Sequence, residues 1–293
     1  MGRAAFWRRR DKGTPASAVR FIGRPPARTP VLVAAFEGWN DAGEAASTAL
    51  SFLAQAWDAT PIGEIDGEEY FDFTQARPEV TIVEGETRRL RWPVTALSAA
   101  PALGHAPGLI LMSGPEPHLR WRGYAANLVG SARALGVRHA VLIGAYLSEV
   151  THHRPVPLSG TATDDTVLAR HNLAPTRYEG PTGMVGVLGE ALQGAGVSVT
   201  TLWASVPCYS LPVSPKAALA LARVVALALD RPAAFDELEE QASEYERRMD
   251  ELVEEDEGVA AYIARLEEME EPSPAVSADG LAEEIERYLR GKR

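Results

Sequence analysis

The stretch VLVAAFEGWNDAGEAASTAL (residues 31–50) sets how the rest of the chain is read. Val31 to Phe36 form a short, β-rich apolar run. Gly38 and Gly43 follow, and the segment then turns helical. Strand, glycine loop, helix is the layout of many phosphate-binding sites. The two glycines have the spacing of a phosphate loop, G-x-x-x-x-G-K-[ST], but Glu44 and Ala45 stand where lysine and a hydroxyl residue belong. A carboxylate there repels a triphosphate, and the magnesium-binding hydroxyl is missing. The stretch reads instead as a helix start: Asp41 caps the helix and Glu44, three residues on, completes a capping box.

The alternation continues outward from this unit. Further strand-like runs are EVTIV (79–83), RRLRW (88–92), GLILM (108–112), HAVLIGAY (139–146) and VSVTTLWASV (197–206). Three runs, 31–36, 108–112 and 139–146, are almost wholly apolar, as in strands covered on both faces. Between them, Trp121, Ala125, Leu128, Ala132 and Leu135 recur at steps of three and four, which predicts a helix over 119–135. A second helix is predicted over 184–195, after a Gly-Pro-Thr-Gly turn. A third, over 214–229, opens with Ser214 as N-cap and Pro215 at the first helical position. Only Lys216 and Arg223 are charged in it, so it is expected to be buried, in the core or in a subunit interface. This pattern predicts a three-layer α/β/α domain over 19–232.

Charge is distributed unevenly. The chain of 293 residues has a formal net charge of −11, and residues 235–271 carry sixteen Asp and Glu against three Arg, so the rest nets +2. Over 233–270, Phe235, Leu238, Ala242, Tyr245, Met249 and Leu252, and then Val259, Ile263 and Leu266, predict an acidic helical hairpin broken near Gly258. Residues 271–280 read as a Pro- and Ser-bearing linker, and 281–293 as a short amphipathic helix on Leu281, Ile285 and Leu289. Residues 1–18 read as a disordered basic tail. Three arginines with no apolar run behind them indicate neither a secretory signal nor a membrane span. A near-neutral body without a basic stripe disfavours nucleic acid as a partner. The one cysteine, Cys208, excludes an internal disulfide and a cysteine-based zinc site, and fits the cytoplasm.

At AFEGWNDAGEAAS (35–47) the chain resembles the proteasome assembly chaperone 2 family, in its actinobacterial-type branch. The resemblance continues through GPEPHLRWRGYAANLVGSARALGV (114–137), THHRPVPLSGTATD (151–164), YEGPTGMVGVL (178–188), VPCYSLPVSPKAALAL (206–221) and the acidic helices. It implies a nucleoside-phosphorylase-like, three-layer sandwich with a mixed sheet. It also implies homo-oligomers, with a trimer as the expected state, no established catalytic activity, and a link to the proteasome. Archaeal relatives dock through a terminal hydrophobic-tyrosine-X triplet. Here the last three residues are Gly291, Lys292 and Arg293, so the acidic helices are the better contact for a partner.

In α/β sheets ligands bind at the carboxyl ends of strands. Glu37, Asn40 and Asp41 sit at one such end, and Glu116, Arg120 and Trp121 at another. Arg154, Glu179 and Thr182 are candidates to join them. These groups form either a cleft for a polar ligand or partner, or a satisfied salt-bridge network. Gly180, Gly183, Gly186 and Gly189 serve either close helix packing or anion binding at a helix N-terminus. His152 and His153, on a strand, would point to opposite faces, so no metal is expected. Cys208 is expected to be buried and unreactive. No catalytic residue and no cofactor is expected. The expected function is a non-enzymatic, protein-binding or assembly-chaperone-like one. The alternative is an enzyme of phosphorylase- or hydrolase-like fold acting on a small polar ligand.

Overall fold

In strand β2 (Val31–Glu37) successive side chains enter two different cores. Val31, Val33 and Ala35 face one, while Leu32, Ala34 and Phe36 face the other, and all six are buried. A period of two with both faces covered requires this. The structure, a computed structural model, describes residues 19–23, 29–83, 87–163, 168, 173–176 and 178–268. The expected basic tail, linker and final helix lie outside the described residues.

Strands β7 (Leu109–Pro115) and β8 (His139–Ser148) lie on either side of β2, both parallel to it. Each splits its side chains in the same way: Leu109 and Leu111 against Ile110 and Met112, Val141 and Ile143 against Ala140 and Leu142. Strand β11 (Ser198–Pro207) continues the parallel centre beyond β8. The flanks are antiparallel. On one side β6 (Val94–Ala100) joins β7, β3 (Thr60–Asp66) joins β6, and β1 (Val19–Phe21) joins β3. On the other, β9 (Leu158–Ala162) joins β11, and the short β10 (Ala174–Pro175) runs parallel to β9. The sheet is therefore mixed, in the order β1-β3-β6-β7-β2-β8-β11-β9-β10.

Helices α1 (Ala45–Ala56) and α4 (Pro215–Ala228) cover the first core, and α2 (Trp121–Ala134) and α3 (Met184–Gly194) cover the second. This is the expected α/β/α sandwich. The apolarity of α4 has a cause within the chain. Ala217, Ala218, Leu221, Ala222 and Val225 are buried against the sheet and α1, and α5 (Asp236–Glu255) lays Leu238 and Ala242 on its outer side. Leu227 alone among its large apolar side chains stays well exposed.

Helix α5 is followed by α6 (Glu257–Glu268). The break falls at Asp256, whose Oδ1 accepts the N–H groups of Gly258 at 2.8 Å and Val259 at 3.1 Å and so caps α6. The hairpin is anchored to the body. Phe235 stacks on Phe52 with centroids 5.6 Å apart, and Trp57 Nε1 donates to Pro232 O at 3.1 Å just before α5. Its acidic face is exposed. Strands β4 (Glu79–Val83) and β5 (Thr87–Arg91) form a separate antiparallel ribbon with Val80 opposite Leu90.

Candidate functional site

The carboxyl ends of β2, β7, β8 and β11 lie together because the four strands are parallel neighbours. The 37–43 and 114–121 segments therefore share one end of the sheet. The chain leaving β2 is stitched to β8 by the Ala145 N–H, which donates to Asn40 O at 2.8 Å. The Glu116 N–H donates to Glu37 O at 3.0 Å, which ties the β7 exit to the β2 exit.

These ties aim two side chains at the start of α3. Glu116 Oε1 accepts the Met184 N–H at 2.6 Å, and Asn40 Oδ1 accepts that of Val185 at 3.4 Å. The first orphan donors of the helix are thus met by side chains from two other segments. Gly183 makes the approach possible: a Cβ there would lie 2.0 Å from Asn40 Oδ1 and 2.5 Å from Glu116 Oε1. The anion-binding reading of this helix start gives way to a built-in carboxylate, which already occupies the position an anion would take. Burial raises the Glu116 carboxyl above its ordinary value, and the Met184 N–H opposes this more weakly.

Asp41 is buried and caps α1, as the sequence suggests, but not through a capping box. A 3₁₀ turn over Ala42–Glu44 intervenes, with Gly43 at φ 61° and Glu44 at φ 49°. Asp41 Oδ1 therefore reaches past it to the N–H groups of Ala46 at 2.7 Å and Ser47 at 3.2 Å. Glu44 does not bond back to the Asp41 N–H, which donates to Gly38 O. Asp41 Oδ2 is buried and has no hydrogen-bond partner among the described residues. Burial raises the Asp41 carboxyl despite its two backbone bonds. Partial desolvation, then the carboxylates of Asp41 and Glu44, raise Glu37 as well.

The other candidates are directed elsewhere. Arg120, in the left-handed region at φ 55°, pairs with Glu69 at 3.0 Å. Trp121 opens α2 half-buried against the second core. Arg154 donates to Glu267 O at 2.6 Å, on α6. Glu179 and Thr182 are exposed, with Thr182 Oγ1 standing where a Cβ on Gly186 would come within 2.1 Å. The structure thus gathers Glu37, Asn40, Asp41 and Glu116, and turns Arg120 and Arg154 to other partners.

Two further expectations are overturned. His152 and His153 are not on a strand: β8 ends at Ser148, and the pair lies in the following turn with rings 4.1 Å apart. Both point at Asp250 of α5, which only the fold brings near. Cys208 is exposed, with Sγ 3.3 Å from the Tyr262 hydroxyl. It lies beyond the last residue of β11, where the chain leaves the core.

The sequence model of the PAC2 family matches residues 35–253. The chain belongs to the PAC2 family. A PAC2 family protein from Streptomyces avermitilis has 43% identity and a TM-score of 0.73, covering 80% of this chain and 99% of its own. The Mycobacterium tuberculosis proteasome-assembly chaperone homologue Rv2125 has 44% identity and a TM-score of 0.72, with the same coverage. The M. tuberculosis protein of unknown function Rv2714 has 26% identity and a TM-score of 0.76, covering 89% of this chain and 92% of its own. Among curated proteins there is no match. The PAC2 match runs from the end of β2 through most of α5. No helix among the described residues of this PAC2 chain is long and apolar enough to cross a membrane.

Proposed function

We propose that this chain is a non-enzymatic, protein-binding assembly factor of chaperone type, working in the cytoplasm on proteasome-related partners. The observation that carries the reading is the 44% identity to the M. tuberculosis proteasome-assembly chaperone homologue, over 99% of that protein. The site geometry supports it. Asp41 and Glu116, the two best-gathered carboxylates, accept backbone N–H bonds as helix caps. They fasten the starts of α1 and α3 to the strand ends, which suits a rigid scaffold better than an acid–base pair.

Contact surfaces suited to proteins are present. On the β4–β5 ribbon, Val80, Ile82 and Leu90 are 58%, 66% and 58% exposed. Val80 and Leu90 are cross-strand partners, and Ile82 follows Val80 by two, so all three share one face. A two-stranded ribbon is marginal alone, and its apolar face suits a second copy of the chain, with three copies as the expected assembly. The acidic face of α5 and α6 suits a basic partner surface, an attraction that weakens as salt rises.

The test mixes the full chain with the purified proteasome α and β subunits of its own host, followed by native mass spectrometry. Complexes containing the chain and subunits are expected. Their absence at micromolar concentrations of both, with subunit assembly unchanged, overturns the reading. Light scattering tests self-association: Ile82→Asp with Leu90→Asp should convert the oligomer to monomer, and a wild-type monomer would remove the ribbon's assigned role.

A further inference from the structure

We propose that His152, His153 and Asp250 form a site for a divalent transition-metal ion of the zinc type, which fastens the α5–α6 hairpin to the body of the protein. His152 Nε2 and His153 Nε2 lie 2.9 and 2.8 Å from the same atom, Asp250 Oδ1. One ligand atom from each residue falls within 4.8 Å of the others. Two imidazole nitrogens and one carboxylate oxygen form a donor set that suits zinc and its neighbours, not calcium or magnesium, which take oxygen ligands.

The spacing is close to what a metal needs. Bonds of about 2.0–2.2 Å in a tetrahedron put ligand atoms about 3.3 Å apart. Each contact to Oδ1 must therefore open by about half an ångström. Asp250 can supply this, since its side chain is 51% exposed, whereas the His152 side chain is fully buried and fixed. The exposed side of His153 and Asp250 leaves the fourth position to water.

The far nitrogens carry the second observation. His152 Nδ1 lies 2.8 Å from the Tyr209 hydroxyl, which also accepts the His152 backbone N–H at 3.0 Å. His153 Nδ1 lies 2.5 Å from Glu267 Oε1. With an ion bound and the proton on Nδ1, each ring donates to an oxygen and turns a bare Nε2 towards the ion beside Asp250. A carboxylate or other oxygen on the outer nitrogen is how metal-bound histidines are held and made more basic. Where His153 is protonated, metal binding releases one proton to solvent. Lys216, which donates to the His152 carbonyl and pairs with Glu246, and Arg154, which donates to Glu267 O, are nearby cations that oppose the metal.

The ligands come from the β8–β9 turn and from α5, and Glu267 from α6, so the ion would bridge three segments. The full chain is stripped with chelator and titrated calorimetrically with zinc chloride. Co²⁺ is then added separately and its visible absorption recorded. One Zn²⁺ per chain and an intense tetrahedral Co²⁺ spectrum are expected. His153→Ala and Asp250→Asn both alter half-exposed side chains and should fold, as checked by circular dichroism. Each should weaken zinc binding by at least about 100-fold, and Glu267→Gln by about 10-fold. Absence of zinc binding by the wild type overturns the proposal. So does unchanged affinity in both His153→Ala and Asp250→Asn, which would put the ion elsewhere.

Discussion

Gly183→Ala tests whether three loops are joined at one point. The backbone there, φ −95° and ψ −166°, suits alanine, so any cost is steric. The new methyl would sit 2.0 Å from Asn40 Oδ1 and 2.5 Å from Glu116 Oε1, far inside contact distance. Both side chains must withdraw, and the Met184 and Val185 N–H groups lose their acceptors. Overpacking costs about 1–3 kcal/mol, and each displaced cap bond about 1 kcal/mol. With two cap bonds displaced, the expected loss is about 3–5 kcal/mol. Gly189→Ala is the internal control. It lies in the same helix, but its nearest neighbours, Leu142 and Val199, would be 3.5 and 3.8 Å from the methyl, which is ordinary contact. Helix propensity alone then favours alanine by about 0.5–1 kcal/mol. Urea unfolding followed by circular dichroism should give midpoints that move in opposite directions at unchanged slope. If Gly183→Ala stays within about 0.5 kcal/mol of wild type, the Asn40–Glu116–α3 junction is not what holds these loops.

Burial raises the Glu116 carboxyl above its ordinary 4.5, so the fold favours its protonated form. Its contribution is complete below that pH and is lost as pH rises through the raised value. Glu116→Gln should therefore show a shallower fall in stability above pH 4.5 than wild type, and parallel pH profiles would refute this. Tyr124 is fully buried with its hydroxyl 2.5 Å from Thr95 Oγ1. Tyr124→Phe leaves a buried hydroxyl unpaired and should cost about 1–3 kcal/mol in the same urea assay; no loss would mean Thr95 finds another partner. Exposed Cys208 should be labelled by a thiol reagent at one equivalent in the folded protein, and protection until denaturant is added would contradict its position.

The centre of the sheet was legible because β2, β7 and β8 are buried on both faces and read as unbroken apolar runs. Strands β3 and β6 were not. TPIGEID carries a proline, a glycine and two carboxylates, and VTALSAA has only Val94 and Leu97 as large apolar residues, because both strands lie out towards one edge. Strand ends follow from strands, so Glu37, Asn40 and Glu116 could be put at one end of the sheet from sequence. Their partners could not. Arg120 meets Glu69 and Arg154 meets α6 through contacts far apart in the chain. The histidine pair was misread by placing it on a strand; it lies beyond β8, which ends at Ser148, in a turn where both rings fall on one side. The adjacent His-His pair was the available signal; Asp250 on a distant helix was not visible.

The pairing of β2 has a consequence for how the chain is made. Val31 bonds across to Leu109 on one side and His139 on the other, so neither neighbour exists when β2 leaves the ribosome. At 5–20 residues per second, β8 follows on the order of ten seconds later, and α4, which closes the first core, later still. For that interval six consecutive apolar residues have two unpaired edges and a bare face. Loop closure over such separations is slow, and open strand edges invite pairing with other nascent chains. A chain proposed to assist the assembly of others thus has a nascent stage in which its own central strand lies uncovered.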